Sequence, residues 1–201
     1  MGTDAENRPA AARMRVQGEL GHLWGAAVFL RIVKEQRLLE LHLRQEEGGW
    51  QLFRRYPIAG MSGTLGPKTR EGDMQAPEGF YEVLPTALNP RSAYHLSFNI
   101  GYPNAYDRRL GRTGSFIMIH GGEQSAGCFA MTDARIEEIY TLVAEAFAAG
   151  QRSIPVQIYP FAMTCSRMEQ ETASPHYAFW QQHLLPGWLH TEATGAPYTP
   201  S

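Results

Sequence analysis

His120 and Cys128 are the residues whose types and spacing offer the clearest chemistry in this sequence of 201 residues. The apolar run 115–119 (SFIMI) predicts a buried strand that ends at His120, and a turn-rich stretch leads from there to Gly127 and Cys128. A cysteine attacks a carbonyl carbon as the thiolate, and a nearby imidazolium or helix N-terminus lowers the thiol pKa from its free value of about 8.5. We therefore expect Cys128 to be a nucleophile of lowered pKa with His120 as its partner.

The glycine before the cysteine adds a second feature of acyl-transfer chemistry. Gly127 permits a backbone twist that other residues resist, so the amides of Gly127 and Cys128 can point together as an oxyanion hole. The product is a thioester, which an amine or water resolves. The alternative is a buried packing cysteine beside a hydrogen-bonded core histidine, and spacing alone does not separate the two interpretations.

Sequence patterns also predict the elements that must position this pair. Apolar runs bounded by turn-forming and charged residues predict strands over 27–33, 38–43, 50–58, 80–84, 94–100, 115–119 and 154–159. A helix is predicted to begin at Thr132 or Asp133 and to end at Gly150. Three glycine-rich loops, 60–79, 101–114 and 121–127, are expected to surround Cys128. These elements indicate an α+β fold that is mostly β.

Composition and length exclude several other classes. With 43% hydrophobic residues and a net charge of −2, the chain is neither disordered nor basic enough for a nucleic-acid partner. Its length fits one main domain, which we place at residues 23–165. A polar N-terminal extension (1–22) precedes this domain. A C-terminal extension (166–201) follows it, with a short helix over 177–185 and a mobile tail from Thr191.

Neither a membrane span nor a targeting segment is evident. The longest uncharged run near the N-terminus, 23–30, is far shorter than the roughly 20 residues that cross a bilayer. The first 18 residues lack the apolar centre of a secretory signal peptide.

The segment around Cys128 resembles the active-site motif of the YkuD-type L,D-transpeptidases, His-Gly-Thr followed at a distance by Ser-His-Gly-Cys-(Ile/Val)-Arg-Met. Here the motif is His120-Gly121 and then 125–131 (SAGCFAM), with Ala126 replacing the second His and Ala130 replacing the Arg. The resemblance extends over about residues 28–164 and is greatest to the YafK-like group of that superfamily. Four further blocks carry it, namely 75–81 (QAPEGFY), 94–99 (YHLSFN), 101–107 (GYPNAYD) and 111–115 (GRTGS).

The resemblance implies an L,D-transpeptidase catalytic domain, a curved mixed sheet or sandwich with one long helix after the cysteine. It implies a monomeric periplasmic enzyme that needs no cofactor or metal, its signal peptide removed from this chain. By position in the motif, Cys128 is the implied nucleophile, His120 the general base, and the Gly121 carbonyl the group that orients the imidazole.

The implied substrate is meso-diaminopimelate of peptidoglycan stem peptides. In the YafK-like group the implied reaction is hydrolysis of the link between diaminopimelate and the C-terminal lysine of a Braun-type outer-membrane lipoprotein. Forming crosslinks and removing or exchanging a terminal D-alanine proceed through the same acyl-enzyme, so both remain open.

Substrate binding requires further residues, because the motif arginine is absent at Ala130. Arg112 is a candidate for the substrate carboxylate, since a guanidinium binds a carboxylate bidentately. Asp107 is a candidate for the free ammonium of diaminopimelate. The remaining substrate-binding candidates are Tyr102, Tyr106, Ser125, His95 and Asn99.

Three alternatives stay open. Cys165 lacks a neighbouring Gly or His and is interpreted as a packing or spare thiol, although a bridge to Cys128 would block the nucleophile. An inactive wall-binding module would keep the fold and the groove. A zinc peptidase would use His95, His120 and Asp107, but no convincing ligand spacing supports it.

Overall fold

The structure, a computed structural model, describes residues 4–200 and contains two mixed β-sheets. The larger sheet has the strand order β3-β2-β1-β9-β4, in which β1 pairs with β9 in parallel and the other pairs are antiparallel. Its strands are β1 (Val28–Val33), β2 (Leu38–Arg44), β3 (Trp50–Pro57), β4 (Gly79–Val83) and β9 (Ile154–Tyr159).

The smaller sheet carries the segment with the candidate nucleophile. Its order is β5-β6-β7-β8, and β7 pairs with β8 in parallel. Its strands are β5 (Leu88–Ser92), β6 (His95–Asn99), β7 (Met118–His120) and β8 (Phe129–Ala130). A bridge between Gly60 and Ala130 ties the loop 60–79 to β8, so this loop lies beside the segment that follows Cys128.

The predicted helix after Cys128 is confirmed as α3 (Asp133–Ala148). Its apolar positions recur at helical spacing and bury Ile136, Ile139, Val143 and Ala146 in the main core. The α+β class is confirmed as well, with the short helices α2 (Ala105–Arg109) and α4 (Cys165–Glu169) between strands and after β9. No helix within residues 4–200 combines the length and apolar character needed to cross a bilayer.

Most of the segment predicted as a polar N-terminal extension forms helix α1 (Asp4–Leu20), and residues 1–3 lie outside the described part of the chain. Ala12, Val16 and Leu20 recur every four residues and are buried. Helix α1 packs on α3, and the ion pair between Arg15 and Glu138 at 2.9 Å links the two helices. The extension is therefore packed against the body of the protein.

The C-terminal segment is helical over a longer range than predicted. It contains α5 (Tyr177–Phe179), a π-helical turn (Trp180–Leu184) and α6 (Leu185–Thr194). Residues 191–194 of the predicted tail lie in α6, and Tyr198 packs on Phe80 at 5.2 Å between ring centroids. The mobility of this tail stays a prediction. Ser201 lies outside the described residues.

A buried polar cluster fastens the loop 60–79 to the C-terminal helices. The Glu78 carboxylate accepts hydrogen bonds from Lys34 Nζ at 2.9 Å, from the Gly66 amide at 2.7 Å and from Trp180 Nε1 at 2.7 Å. Both charged side chains are almost fully buried, and burial lowers the pKa of Lys34 despite the Glu78 charge. Because a buried charge is costly without its partner, this cluster fixes where the loop lies.

Candidate active site

His120 is the last residue of β7 and is held between two neighbouring strands, opposite Ser97 on β6 and Ala130 on β8. Its ring is buried, and Nδ1 lies 2.6 Å from the Gly121 carbonyl oxygen. Since a carbonyl only accepts, Nδ1 carries the proton and donates it, which leaves Nε2 as the basic nitrogen. Burial lowers the pKa of His120, and the hydrogen bond to Gly121 only partly opposes this. The imidazole is therefore a neutral base at pH 7.

Cys128 lies immediately before β8, and its sulfur is surrounded by backbone from the start of β7. Sγ accepts from the Met118 amide at 3.3 Å and donates to the Phe116 carbonyl at 3.5 Å. Burial raises the pKa of the Cys128 thiol, outweighing the opposing effects of the Met118 amide, the Lys68 charge and the Ser125 hydroxyl. The resting state is a thiol beside a neutral imidazole.

The expectation that the Cys128 pKa is lowered is therefore wrong for this state. Helix α3 begins only at Asp133, and its first carboxylate accepts from the Gly122 amide at 2.9 Å. The helix N-terminus is thus engaged with the turn after His120. Because His120 is itself neutral, no imidazolium is present to lower the pKa of the thiol.

Ser125 lies between the base and the nucleophile. Its Oγ is 3.2 Å from His120 Nε2, and the same hydroxyl contributes to lowering the pKa of the Cys128 thiol. Sequence analysis assigned Ser125 to substrate binding, whereas the structure places it where a proton can pass between Sγ and Nε2.

The backbone amides next to Cys128 do not both point to free space. The Gly127 amide donates to Ser62 Oγ at 2.7 Å, and Ser62 in turn donates to the Met74 carbonyl at 2.6 Å. The Gly127 N–H is already bonded in this structure, and its use as an oxyanion donor stays a prediction. The Cys128 amide has no acceptor among residues 9–200 and remains available to a developing oxyanion.

A cavity of about 410 Å³ opens onto Cys128, His120 and Ser125. Tyr94 and Phe116 form part of its wall, and the ring of Tyr94 lies 4.8 Å from that of His120. Two other cavities, of about 440 and 510 Å³, border Tyr198 in the C-terminal segment and include none of the three site residues. Of these three cavities, the one at Cys128 is lined by the candidate nucleophile and its candidate base.

The predicted carboxylate and ammonium ligands bind each other instead of facing this cavity. Arg112 Nη1 donates to Asp107 Oδ1 at 2.7 Å, and the two side chains are 9% and 1% exposed. Tyr81 donates to the other Asp107 oxygen at 3.0 Å. In this structure each therefore neutralises the other in a buried pair, and their assignment to substrate binding stays a prediction.

The two loop tyrosines also have structural partners. The Tyr102 hydroxyl lies 3.2 Å from the carbonyl oxygens of Lys68 and Thr113, joining the two loops that carry them. Tyr106 stacks on His183 with centroids 3.7 Å apart. Neither ring lines the cavity at Cys128, and their role as groove walls stays a prediction.

His95 and Asn99 occupy the two ends of β6 without facing the cavity. His95 Nε2 lies 2.8 Å from Glu137 Oε1, which joins β6 to α3. The Asn99 side chain accepts from the Gly101 amide at 2.9 Å in the turn after the strand. Both residues are engaged in local hydrogen bonds, and their assignment to substrate binding stays a prediction.

The two cysteines are not bridged. Cys128 is half-buried, whereas Cys165 is exposed at the start of α4, and both are free. No group of three His, Cys, Asp or Glu side chains within residues 9–200 is arranged to hold a metal ion.

Sequence reasoning did not assign a role to Ser62 or Phe116. It also assigned none to Lys68, a cation whose charge acts to lower the pKa of the Cys128 thiol. Lys68 Nζ donates to Asp73 Oδ1 at 2.6 Å, so the loop carries its own internal ion pair. Only the density of Gly and charged residues in 60–79 hinted at this region. Phe116 was expected in a buried strand over 115–119, but β7 begins only at Met118 and the Phe116 side chain is exposed.

Comparisons with known proteins identify the family of this chain. Residues 28–158 match the YkuD family, described as the L,D-transpeptidase catalytic domain. The chain belongs to this family of cysteine enzymes that act on peptidoglycan.

Relatives and a solved structure extend the match. YafK of Escherichia coli strain K12, an L,D-transpeptidase by name, is 42% identical over all 201 residues, which cover 79% of that protein. YafK of Escherichia coli O157:H7 is equally similar. The crystal structure of Pgp2 from Campylobacter jejuni, described as a helical cell shape determining protein, shares the fold with a TM-score of 0.52 and 23% identity. The match covers 74% of this chain and 55% of Pgp2, so this chain spans about half the length of that protein.

Proposed function

We propose that this protein is a periplasmic cysteine amidase that hydrolyses the bond between diaminopimelate of a peptidoglycan stem peptide and the C-terminal lysine of an outer-membrane lipoprotein. The observation that carries the proposal is the contiguous set Cys128, Ser125 and His120 at one cavity, with Nδ1 of His120 fixed by Gly121. Similarity to YafK along the whole chain supports the family setting.

The first half of the reaction forms a thioester. The Sγ proton moves to Ser125 Oγ while the Ser125 proton moves to His120 Nε2, and Sγ attacks the carbonyl carbon of diaminopimelate. The new C–S bond places a negative charge on oxygen, next to the Cys128 amide. As the oxyanion collapses, the C–N bond breaks and the leaving nitrogen takes the proton from Nε2.

The second half consumes water. Water gives a proton to His120 Nε2 as its oxygen attacks the thioester carbon, so that a C–O bond forms and the C–S bond breaks. Sγ recovers its proton through Ser125, and the enzyme returns to its neutral resting state. An amine in place of water would give a crosslink, and the family membership makes this transpeptidase reaction the second candidate.

Mass spectrometry of products tests the proposal. Purified protein is incubated with muropeptides that carry a lysine-linked peptide and with muropeptides that end in D-alanine. We expect release of the lysine-terminated peptide, its loss in Cys128→Ala, and a decrease of about 10²–10⁴-fold in His120→Asn.

The exposed second thiol provides the matched control. Cys165→Ala is expected to keep full activity, because Cys165 lies outside the cavity. New crosslinks would indicate the transpeptidase, and loss of D-alanine alone would indicate a carboxypeptidase. Unchanged product in Cys128→Ala, or no product from any substrate, would refute the amidase and favour a wall-binding module.

A further inference from the structure

The cavity at Cys128 is uncharged and aromatic. Its wall within the described chain contains no Asp, Glu, Lys or Arg side chain. Its two largest exposed side chains are Tyr94 and Phe116, which are 59% and 74% exposed. Tyr94 lies against the His120 ring, and the Phe116 carbonyl accepts from Cys128 Sγ, so one aromatic residue borders each reacting group.

Phe116 has a backbone conformation that favours glycine. Its φ is +54°, in the left-handed region, where a bulky residue is strained. This conformation turns the Phe116 carbonyl toward the Cys128 sulfur. Nothing in the core requires the ring, because the side chain projects from the surface at the cavity. A large apolar group kept in a strained and unpacked position indicates contact with a ligand.

The proton balance of the reaction identifies which part of the substrate enters this cavity. The leaving nitrogen must take its proton from His120 Nε2, so the leaving group lies beside His120 and therefore beside Tyr94. A departing D-alanine carries a carboxylate one carbon from that nitrogen, in a wall without a cation. A lysine attached through its Nε presents four methylenes there instead and keeps its charged groups farther out. Apolar stems gain by contact with aromatic rings, whereas an unpaired carboxylate loses its hydration.

We propose that this cavity selects a leaving amine borne on an unbranched aliphatic stem, and that Phe116 and Tyr94 are the residues that determine this specificity by contacting the stem. The inference rests on the proposed amidase function and adds the part of the substrate that the wall recognises.

The test uses two synthetic donors that share one acyl part, a stem tripeptide ending in diaminopimelate. In one the amide nitrogen is Nε of lysine, and in the other it is the α-nitrogen of D-alanine. Thioester formation is followed by intact-protein mass and amine release by chromatography, which gives kcat/KM for each donor. The proteins are the wild type, Tyr94→Ala, Phe116→Ala and Phe116→Gly.

We expect the wild type to prefer the lysine-linked donor. Phe116→Ala and Phe116→Gly are expected to lower kcat/KM for that donor by about 10–30-fold, because contact with about two methylenes is lost. For the D-alanine donor, kcat/KM is expected to change by less than about threefold. Tyr94→Ala is expected to lower kcat/KM for the lysine-linked donor more than for the D-alanine donor. Phe116→Gly also relieves the left-handed strain, so its Tm is expected to stay level or rise by about 2–4 °C. Activity then falls without loss of stability, which a purely structural ring would not produce.

Arg37→Gly is the matched control, because Arg37 has the same left-handed conformation, with φ +52°, in the turn between β1 and β2. It should keep wild-type selectivity. Equal losses of kcat/KM for both donors in the Phe116 variants would overturn the inference. A wild type that prefers the D-alanine donor would also overturn it, and loss of that preference in Arg91→Gln would assign the selectivity to Arg91. Arg91 is exposed on the hairpin that carries Tyr94. If the thioester forms equally well from both donors, this inference alone is refuted. If no thioester forms from either donor, the proposed function is refuted together with this inference.

Discussion

Ser62 is expected to hold the turn that presents the nucleophile, although it touches neither Cys128 nor His120 through a hydrogen bond. Its hydroxyl accepts from the Gly127 amide at 2.7 Å and donates to the Met74 carbonyl at 2.6 Å, so one side chain joins the loop 60–79 to the residue before Cys128. Ser62→Ala removes both bonds at once. The half-buried methyl that remains cannot replace either.

The size of the effect follows from those two bonds. A net contribution of about 1 kcal/mol for each predicts a loss of about 2 kcal/mol in the free energy of unfolding. For a protein of this length the corresponding decrease in Tm is about 4–8 °C. A displacement of about 1 Å in a reacting group costs about 100-fold in rate, so acylation is expected to fall by about 10–100-fold.

Thermal unfolding and the rate of thioester formation by intact mass provide the assay. Thr64→Ala is the matched control from the same loop, since its exposed hydroxyl makes only a 3.4 Å contact with the Leu65 carbonyl. Ser62→Thr keeps the hydroxyl and should recover most of the loss. If Ser62→Ala unfolded within about 1 °C of the wild type and acylated at full rate, the reasoning would be refuted.

Three further predictions concern charged groups. Glu78→Gln leaves the Lys34 ammonium buried without its partner, so urea unfolding at pH 7 should show a loss of about 3–5 kcal/mol in the free energy of unfolding. This loss should shrink as the pH rises, because the pKa of Lys34 is already lowered and the ammonium becomes neutral. Because burial lowers the pKa of His120, the acid limb of kcat/KM should lie below pH 6.5. The unfolded chain binds that proton more tightly, so the contribution of His120 to stability should fall as the pH drops through 6.5, which thermal scans across pH 5–8 would reveal. Asp107→Asn breaks the buried pair with Arg112 and should cost about 3 kcal/mol in urea unfolding, while KM changes equally for donors with and without the free diaminopimelate ammonium.

Helix α3 and helix α1 show what periodicity reveals of this fold. The stripe that includes Ile136 and Val143 is regular enough to place α3 within two residues of its observed ends. In α1 the buried stripe is a single file containing Ala12 and Val16 in an otherwise polar segment, too narrow to be distinguished from an exposed extension. Its helical state depends on packing against α3, which the local sequence does not encode.

The site divides in a similar way. Local motif chemistry drew attention to His120 and Cys128, and the parallel pairing of β7 with β8 is what brings their segments together. The pairing of Arg112 with Asp107 could not be predicted, because loop composition gives the charges available and not their partners. The bond from Gly127 to Ser62 spans 65 residues, and the fold alone creates such a contact.

Strand β9 lies between β1 and β4 but is the last strand in the sequence, which has a consequence for how the chain folds. Strand β1 pairs with β2 on one edge and with β9 on the other, and β9 ends at Tyr159. At a synthesis rate of about 5–20 residues per second, the second edge of β1 stays open for about 6–25 s after it is made. During that interval an apolar strand offers unpaired amides and carbonyls to any neighbouring chain. The pairing that completes the larger sheet is also its longest in sequence, so the nascent protein is most vulnerable to aggregation just before its last strand arrives.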